Sequence, residues 1–189
     1  MAATGLVSPS PVRRGRERYR ADVDVTEETW EAEVIERSQR EPVVVDFWAE
    51  WCGPCRALGP VLEEATAATG VALVKVDTDA NQRLALDYGI RGIPAVKAFR
   101  NGHVVAEFVG AIPKPHVEAF LAELTKPPVA DSVEDPELKA ALEAGDYESA
   151  FDLLLERRDR ETMVALFTEL GHEHPLVTQY RRRLAAAIY

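Results

Sequence analysis

Cysteine is scarce in this sequence, since Cys52 and Cys55 are the only two among 189 residues. Two cysteines cannot build the disulfide framework of a small secreted domain, and a closed zinc site would need two further ligands. The four histidines do not stand at zinc-finger spacing, and we expect His172 and His174 to be surface polar residues. Two interpretations are left for the cysteines: redox chemistry, or a chance pair.

Long apolar runs are also missing. No stretch approaches the roughly 20 apolar residues that span a bilayer, and residues 1–20 lack the apolar segment of a secretory signal. These absences predict a cytoplasmic protein that has no membrane partner. Hydrophobic residues nevertheless make up 47% of the chain, which is enough to bury a core and excludes fibrous and wholly disordered classes.

Positive charge is in deficit. The chain has 22 Lys and Arg residues against 32 Asp and Glu residues, and its net charge of −10 argues against nucleic acid as the main partner. The exception is residues 1–20, where five arginines accompany a single glutamate. This composition predicts a disordered basic tail. A nucleic-acid or membrane arm and an organelle transit peptide are the alternatives.

Hydrophobic patterning predicts an α/β domain over residues 21–125. The apolar run at 43–48 is typical of a buried central strand, and a helix and a second buried strand at 71–77 follow it. Strand, helix and strand in this order form a βαβ unit with a parallel pair. The Asn-Gly pair at 101–102 predicts an antiparallel hairpin, and an amphipathic helix at 114–124 completes a mixed sheet of about five strands flanked by helices.

Helical signals continue after residues 126–134, whose composition is that of a linker. Asp135 precedes Pro136 and Asp146 follows a glycine, and both aspartates are predicted N-caps. Residues 135–189 therefore predict a small all-α domain of short helices joined by tight turns. No second copy at a fixed period is visible.

The two cysteines stand where the first buried strand gives way to a helix. The start of a helix offers unpaired N–H groups and a partial positive charge, which stabilise a thiolate. We therefore expect the pKa of the Cys52 thiol to fall from about 8.5 towards 7, which makes Cys52 the attacking thiol. Cys55, one turn further in and less exposed, is placed to resolve the mixed disulfide. Pro54 suits the first helical turn, where its missing N–H costs little.

Three segments resemble the thioredoxin family in its active-site sequence, its proline loop and its late glycine: Val45-Asp46-Phe47-Trp48-Ala49 with Trp51-Cys52-Gly53-Pro54-Cys55, Gly92-Ile93-Pro94, and Val109-Gly110-Ala111. The resemblance covers about residues 22–125. It implies the thioredoxin fold, dithiol–disulfide exchange, and no cofactor beyond the redox-active Cys52–Cys55 disulfide. It also implies a cis bond before Pro94 and a substrate groove beside the cysteines. The groove residues are expected to be Trp51, Gly53, Pro54, Ile93, Pro94 and Gly110.

Asp46 interrupts an apolar strand, where an ordinary surface carboxylate is not expected. A buried carboxylate has a raised pKa and can accept a proton near neutrality. The resemblance gives Asp46 the role of proton acceptor, deprotonating Cys55 through water, and Lys75 matches the lysine that the family has near this aspartate. The alternatives are a buried acid that serves only to pair and a solvated lysine at the edge of a strand.

The helical tail carries a second resemblance. Residues 145–150 are similar to the turn and second helix of a tetratricopeptide unit, and residues 166–185 resemble the end of the tail of bacterial thioredoxin-like co-chaperones, the chaperedoxins of the YbbN type. That family's tail holds unfolded clients and hands them to chaperones, but the present tail is shortened and its middle units are absent. The alternative is a tail that only packs on the redox domain and stabilises it.

These features together predict a thiol–disulfide oxidoreductase, a protein-disulfide reductase with a helical interaction tail. The expected partners are disulfide-bearing or unfolded client proteins, a recycling system of the thioredoxin-reductase or glutathione kind, and chaperones that contact the tail. The Gly-Pro dipeptide between the cysteines resembles the reducing members of the family. A second hypothesis is a holdase or scaffold that binds unfolded clients with little reductase turnover.

Overall fold

The computed structural model describes residues 23–188, and the predicted basic tail at 1–20 lies outside this range. A five-stranded mixed sheet has the order β1-β3-β2-β4-β5. The strands are β1 (Val23–Asp24), β2 (Val43–Trp48), β3 (Ala72–Asp77), β4 (Ala95–Arg100) and β5 (His103–Val109). β2 is parallel to β3 and antiparallel to β4, and β4 is antiparallel to β5. The predicted parallel pair and the predicted hairpin are therefore both confirmed.

Helices cover both faces of this sheet. One face carries α1 (Gly53–Thr69) and α3 (Lys114–Leu124); the other carries a π-helical segment (Glu31–Glu36), a 3-10 turn (Arg37–Gln39) and α2 (Gln82–Asp87). The central strand is buried on both faces, because Val45 and Phe47 pack towards the π-helical segment while Val44 packs towards α1 and α3. This burial explains why the strand is a nearly continuous apolar run rather than an alternating one.

The C-terminal region is helical, as predicted. It consists of α4 (Val129–Ser132), α5 (Pro136–Glu143), α6 (Tyr147–Arg157), α7 (Arg160–Leu170) and α8 (Pro175–Ile188). Asp135, Asp146 and Asp159 each accept the backbone N–H three residues further on, and such N-caps contribute about 1 kcal/mol each. The core of this helical unit is mostly aliphatic but contains a stacked aromatic pair, the rings of Phe151 and Tyr180, whose centroids are 4.7 Å apart. No helix within residues 23–188 combines the length and the hydrophobicity needed to cross a membrane.

Residues 126–134, expected to be a linker, contain the short helix α4. Val129 is buried in the core of the helical unit, and its backbone N–H donates to Glu169 Oε2 at 2.5 Å. On the other side, the Arg100 side chain of β4 donates to the carbonyl of Leu124 at the end of α3. The segment is therefore anchored at Val129 and follows a contact between β4 and the end of α3, and the division of the chain into domains at 125 and 135 stays a prediction.

The helical unit docks against β5, which is an edge strand of the sheet. The ring of His174 lies against that of His103, with centroids 5.0 Å apart, and Asn101 Nδ2 donates to the Tyr147 hydroxyl at 3.1 Å. The prediction that His174 is a surface residue was wrong, because its half-buried ring lies between the two units. The contact covers part of a strand edge that would otherwise leave backbone groups open to pairing with another chain.

This histidine contact predicts a pH-dependent stability. Burial, and next the neighbouring His103, lower the pKa of His174 below the ordinary value of 6.5. The unfolded chain therefore binds the proton more readily than the folded protein, so the stabilisation is complete above about pH 6.5 and is lost as the pH falls below it. We expect the melting temperature to drop on acidification by more in the wild type than in His174→Gln, as measured by scanning calorimetry. His172→Gln, at an exposed position, is the control; an unchanged pH dependence in His174→Gln would contradict the prediction.

Candidate active site

The site is built where β2 ends and α1 begins. Cys52 is the N-cap of α1 with an extended backbone (φ −79°, ψ 100°), and its Sγ accepts the backbone N–H of Cys55 at 3.2 Å. Pro54 stands in the first helical turn, as predicted. The open end of the helix therefore points its N–H groups and its positive dipole at the Cys52 sulfur, an arrangement that favours the anionic form of that sulfur.

Cys52 and Cys55 are joined by a disulfide. The two residues are 3% and 4% exposed, and they form a small apolar cluster with Ala49, against which Ile93 packs. In this disulfide the two residues are buried to the same extent, so the expectation that Cys55 is the less exposed cysteine stays a prediction. The site holds the pair as a disulfide with Cys52 at the N-cap of α1 and Cys55 in its first turn.

Two loops meet beside the disulfide. The peptide bond between Ile93 and Pro94 is cis, as the resemblance implied, and the Pro94 carbonyl accepts the backbone N–H of Gly110 at 2.7 Å. Trp51 is 69% exposed, and its indole N–H donates to Asp79 Oδ2 at 2.8 Å. An exposed aromatic face therefore stands directly next to Cys52 in the chain.

The start of α1 and the end of β5 add to this surface. Gly53 and Pro54 are exposed. Val109 is 68% exposed and directly precedes Gly110, which bonds to the proline loop. Val109 was not among the expected groove residues, because a valine inside a predicted strand carries no local signal that it faces solvent.

Asp46 lies in the central strand and is 1% exposed. It is in register with Lys75 of β3, so both residues belong to the sheet face that α1 covers. A solvated lysine at a strand edge is excluded, since β3 lies between β1 and β2. Asp46, Lys75 and Cys55 line one cleft of about 220 Å³, which is large enough to hold water between the carboxylate and the sulfur.

A third charged residue, Glu63 of α1, joins Asp46 and Lys75, and the sequence did not predict it as part of the site. Its Oε1 lies 2.7 Å from the Nζ of Lys75. The signal that could have found it is spacing: Glu63 follows Cys55 by eight residues, two helical turns, which places both on one face of α1. Within residues 23–188 no cluster of three or more His, Cys, Asp or Glu side chains is arranged to hold a metal ion.

A cysteine pair at the start of a helix, beside a cis proline and above a buried carboxylate, defines a dithiol–disulfide exchange protein. Comparison with known proteins agrees with this class. The sequence profile of the thioredoxin family, described as Thioredoxin, matches residues 22–123. A profile described as Tetratricopeptide repeat matches residues 115–189.

Individual relatives cover the redox part of the chain. Thioredoxin C-2 of Corynebacterium nephridii is 46% identical over 101 residues, which are 52% of this chain and 92% of that protein. Thioredoxin 1 of Synechococcus elongatus is 49% identical over 92 residues, 48% of this chain and 84% of that protein. Among solved structures, a mutant thioredoxin from Halobacterium salinarum NRC-1 matches with a TM-score of 0.54 and 34% identity, covering 60% of this chain and 99% of that one.

The chain belongs to the thioredoxin family. It is a protein-disulfide oxidoreductase whose thioredoxin domain continues into a tetratricopeptide-like helical region. The two profile matches overlap at residues 115–123, which lie within α3.

Proposed function

We propose that this protein reduces disulfides of client proteins in the cytoplasm and that its helical unit contacts those clients or a chaperone. The observation that carries the proposal is the N–H of Cys55 directed at the Sγ of Cys52 at the open end of α1. In the reduced protein this bond and the helix dipole stabilise a thiolate at Cys52, and the thiolate is the form that attacks disulfides.

The exchange proceeds in two displacements. The Cys52 thiolate attacks one sulfur of the client disulfide, whose S–S bond breaks; the client's other sulfur leaves as a thiolate and takes a proton from water. Cys55 then gives its proton, through water in the cleft, to Asp46 and attacks the Cys52 sulfur. The mixed disulfide breaks, the client's second sulfur leaves as a thiolate and takes up, through water, the proton that Asp46 accepted, and the client is released with both thiols. Two electrons have passed to the client, and the Cys52–Cys55 disulfide remains.

A recycling system of the thioredoxin-reductase or glutathione kind supplies two electrons and restores the reduced pair. Client recognition is proposed at the groove expected from Trp51, Gly53, Pro54, Ile93, Pro94 and Gly110, of which Pro94 is itself buried. The exposed side chain of Val109 supports an extension of this groove. An extended client segment pairs with the backbone at Ile93, and apolar client side chains contact the indole of Trp51.

A holdase or scaffold is the second candidate function. In its favour is a helical unit with a core of its own, docked through Tyr147 and His174 near the start of β5, whereas Gly110 and the disulfide lie beyond its far end. The surface of this unit that faces away from β5 takes no part in the exchange reaction, so it is open to a client or to a chaperone.

Two assays on the full chain test these functions. We expect the wild type, recycled by a small dithiol, to reduce insulin disulfides well above the rate of the dithiol alone, and the double variant Cys52→Ser with Cys55→Ser to lose this activity. The same pair of proteins is then compared for suppression of aggregation of a heat-denatured client. Suppression that persists in the double variant, together with insulin reduction by the wild type no faster than by the dithiol, would support the holdase and overturn the reductase.

A further inference from the structure

The face of α1 that carries Cys55 continues for two more turns through Gly59 and Glu63. These three residues are spaced by four, so they lie above one another along the helix. The Nζ of Lys75 lies 3.7 Å from the position that a Cβ on Gly59 would occupy and 2.7 Å from Oε1 of Glu63. The ammonium group is thus held against α1, one turn beyond Cys55, by the carboxylate of Glu63.

The ion pair between Lys75 and Glu63 is only partly solvated, with 20% and 36% of the two side chains exposed. Lys75 is in register with the buried Asp46, so a negative, a positive and a second negative group follow one another from β2 across β3 to α1. The other charged side chain that lines the cleft is Arg56, whose Nη1 donates to the carbonyl of Glu50 at 2.8 Å. The residue opposite Asp46 on β4 is the apolar Val96.

We propose that Glu63 is a positioning residue for the resolving step: by fixing and offsetting the charge of the Lys75 ammonium, it sets the pH at which Asp46 takes the proton of Cys55. The inference rests on the proposed function, in which Asp46 is the proton acceptor. Glu63 touches neither client nor sulfur, and it acts through Lys75.

The sign of the effect follows from the charges. The positive charge of Lys75 favours the ionised form of Asp46 and so lowers the pKa of Asp46. The negative charge of Glu63, paired with Lys75, weakens this effect. Replacing Glu63 by Gln keeps an oxygen that accepts from Lys75 but removes the negative charge. Asp46 then faces a less compensated cation, so it loses its proton at a lower pH.

The experiment uses the reduced full-length protein. The ¹³C resonance of the Asp46 carboxyl is titrated, and the rate at which Cys55 releases a fluorescent peptide from its mixed disulfide with Cys52 is measured against pH. The release rate is expected to rise with pH as Asp46 loses its proton, and this rise is the acid limb of the rate profile. For Glu63→Gln we expect the midpoint of the Asp46 titration and the acid limb both to move to lower pH by about 0.5 to 1 pH unit. This is the size expected for one charge acting across a partly solvated site. Glu63→Asp, which keeps the charge, is expected to move them far less.

Glu64→Gln is the matched control. Glu64 is the next residue on α1 and also pairs with a lysine at 2.7 Å, but that lysine, Lys114, does not line the cleft as Lys75 does. Glu64→Gln makes the same change in net charge, and we expect it to leave the Asp46 titration and the pH profile of the release rate unchanged. In a Lys75→Met background, Glu63→Gln is expected to produce less than half of its original shift, because its route to Asp46 is gone.

The possible results distinguish a failure of the role of Glu63 from a failure of the role of Asp46. If Asp46→Asn removes the acid limb while Glu63→Gln leaves it where the wild type has it, the role of Glu63 is refuted and the proton transfer to Asp46 stands. If Asp46→Asn leaves the limb unchanged, the proton-acceptor role itself fails. A shift of equal size in Glu63→Gln and Glu64→Gln would show a general charge effect and would also refute the proposal.

Discussion

The Cys52→Ser variant is expected to lose insulin reduction by a factor of about 10³ or more, down to the rate of the recycling dithiol alone. A serine hydroxyl is not ionised near neutral pH, so neither the Cys55 amide nor the helix dipole has an anion to stabilise at this position. The remaining Cys55 lies one turn inside α1, where it lacks the N-cap position. Turnover is measured with insulin at a fixed concentration of dithiol.

The companion variant Cys55→Ser distinguishes the two sulfurs. It keeps the first displacement and lacks the second, so we expect it to stop with one client molecule bound to Cys52 through a disulfide, a product that mass spectrometry detects and that a reductant releases. The roles would be reversed if Cys52→Ser accumulated the mixed disulfide instead. Equal turnover by Cys55→Ser and the wild type would remove the resolving role altogether.

The sequence predicted those features of the fold that depend on neighbouring residues. The apolar run of β2, the Asn-Gly turn at 101–102 and the aspartate caps of α5 and α6 are local patterns, and the structure has the corresponding elements at these places. The cysteine pair belongs to the same class, because its chemistry follows from its position between a strand and a helix.

The features that the sequence did not predict are contacts between elements. Glu63 is one of many glutamates in the chain, and only the packing of α1 on β3 brings its carboxylate to Lys75. His174 was expected to be a surface polar residue, because nothing in the neighbouring sequence indicates that the helical unit packs back onto His103. Burial of this kind depends on which surfaces meet, and hydrophobic periodicity does not report it.

Gly171 shows how closely the two units meet. It is the C-cap of α7, and its backbone N–H donates to the carbonyl of Phe167. Its backbone adopts φ +79° and ψ 157°, a conformation that is essentially restricted to glycine. A Cβ at this position would stand 2.6 Å from the carbonyl oxygen of Val104 and 2.7 Å from the Cα of Val105, so β5 and the end of α7 touch backbone to backbone.

We therefore expect Gly171→Ala to destabilise the docked arrangement by about 2–6 kcal/mol, combining the strain of the backbone conformation with overpacking against β5. Because the neighbours are backbone atoms and not flexible side-chain ends, the clash is relieved by moving the helical unit away from the strand. Scanning calorimetry is expected to show a lower first transition, and limited proteolysis to cut faster within residues 126–134.

Gly145→Ala provides the matched control, since Gly145 also has a positive φ of 71° in the helical unit but no atom lies within 4 Å of the Cβ it would gain. In that variant we expect the free energy of unfolding to fall only by the cost of holding alanine at a positive φ, about 1 kcal/mol, and the protease resistance to stay that of the wild type. Equal effects of the two substitutions would mean that backbone strain, and not the contact with β5, governs Gly171. Insulin reduction is expected to survive in both variants, because Gly171 meets β5 at Val104 and Val105, whereas the cysteines lie beyond the other end of that strand, next to the loop that bonds to Gly110.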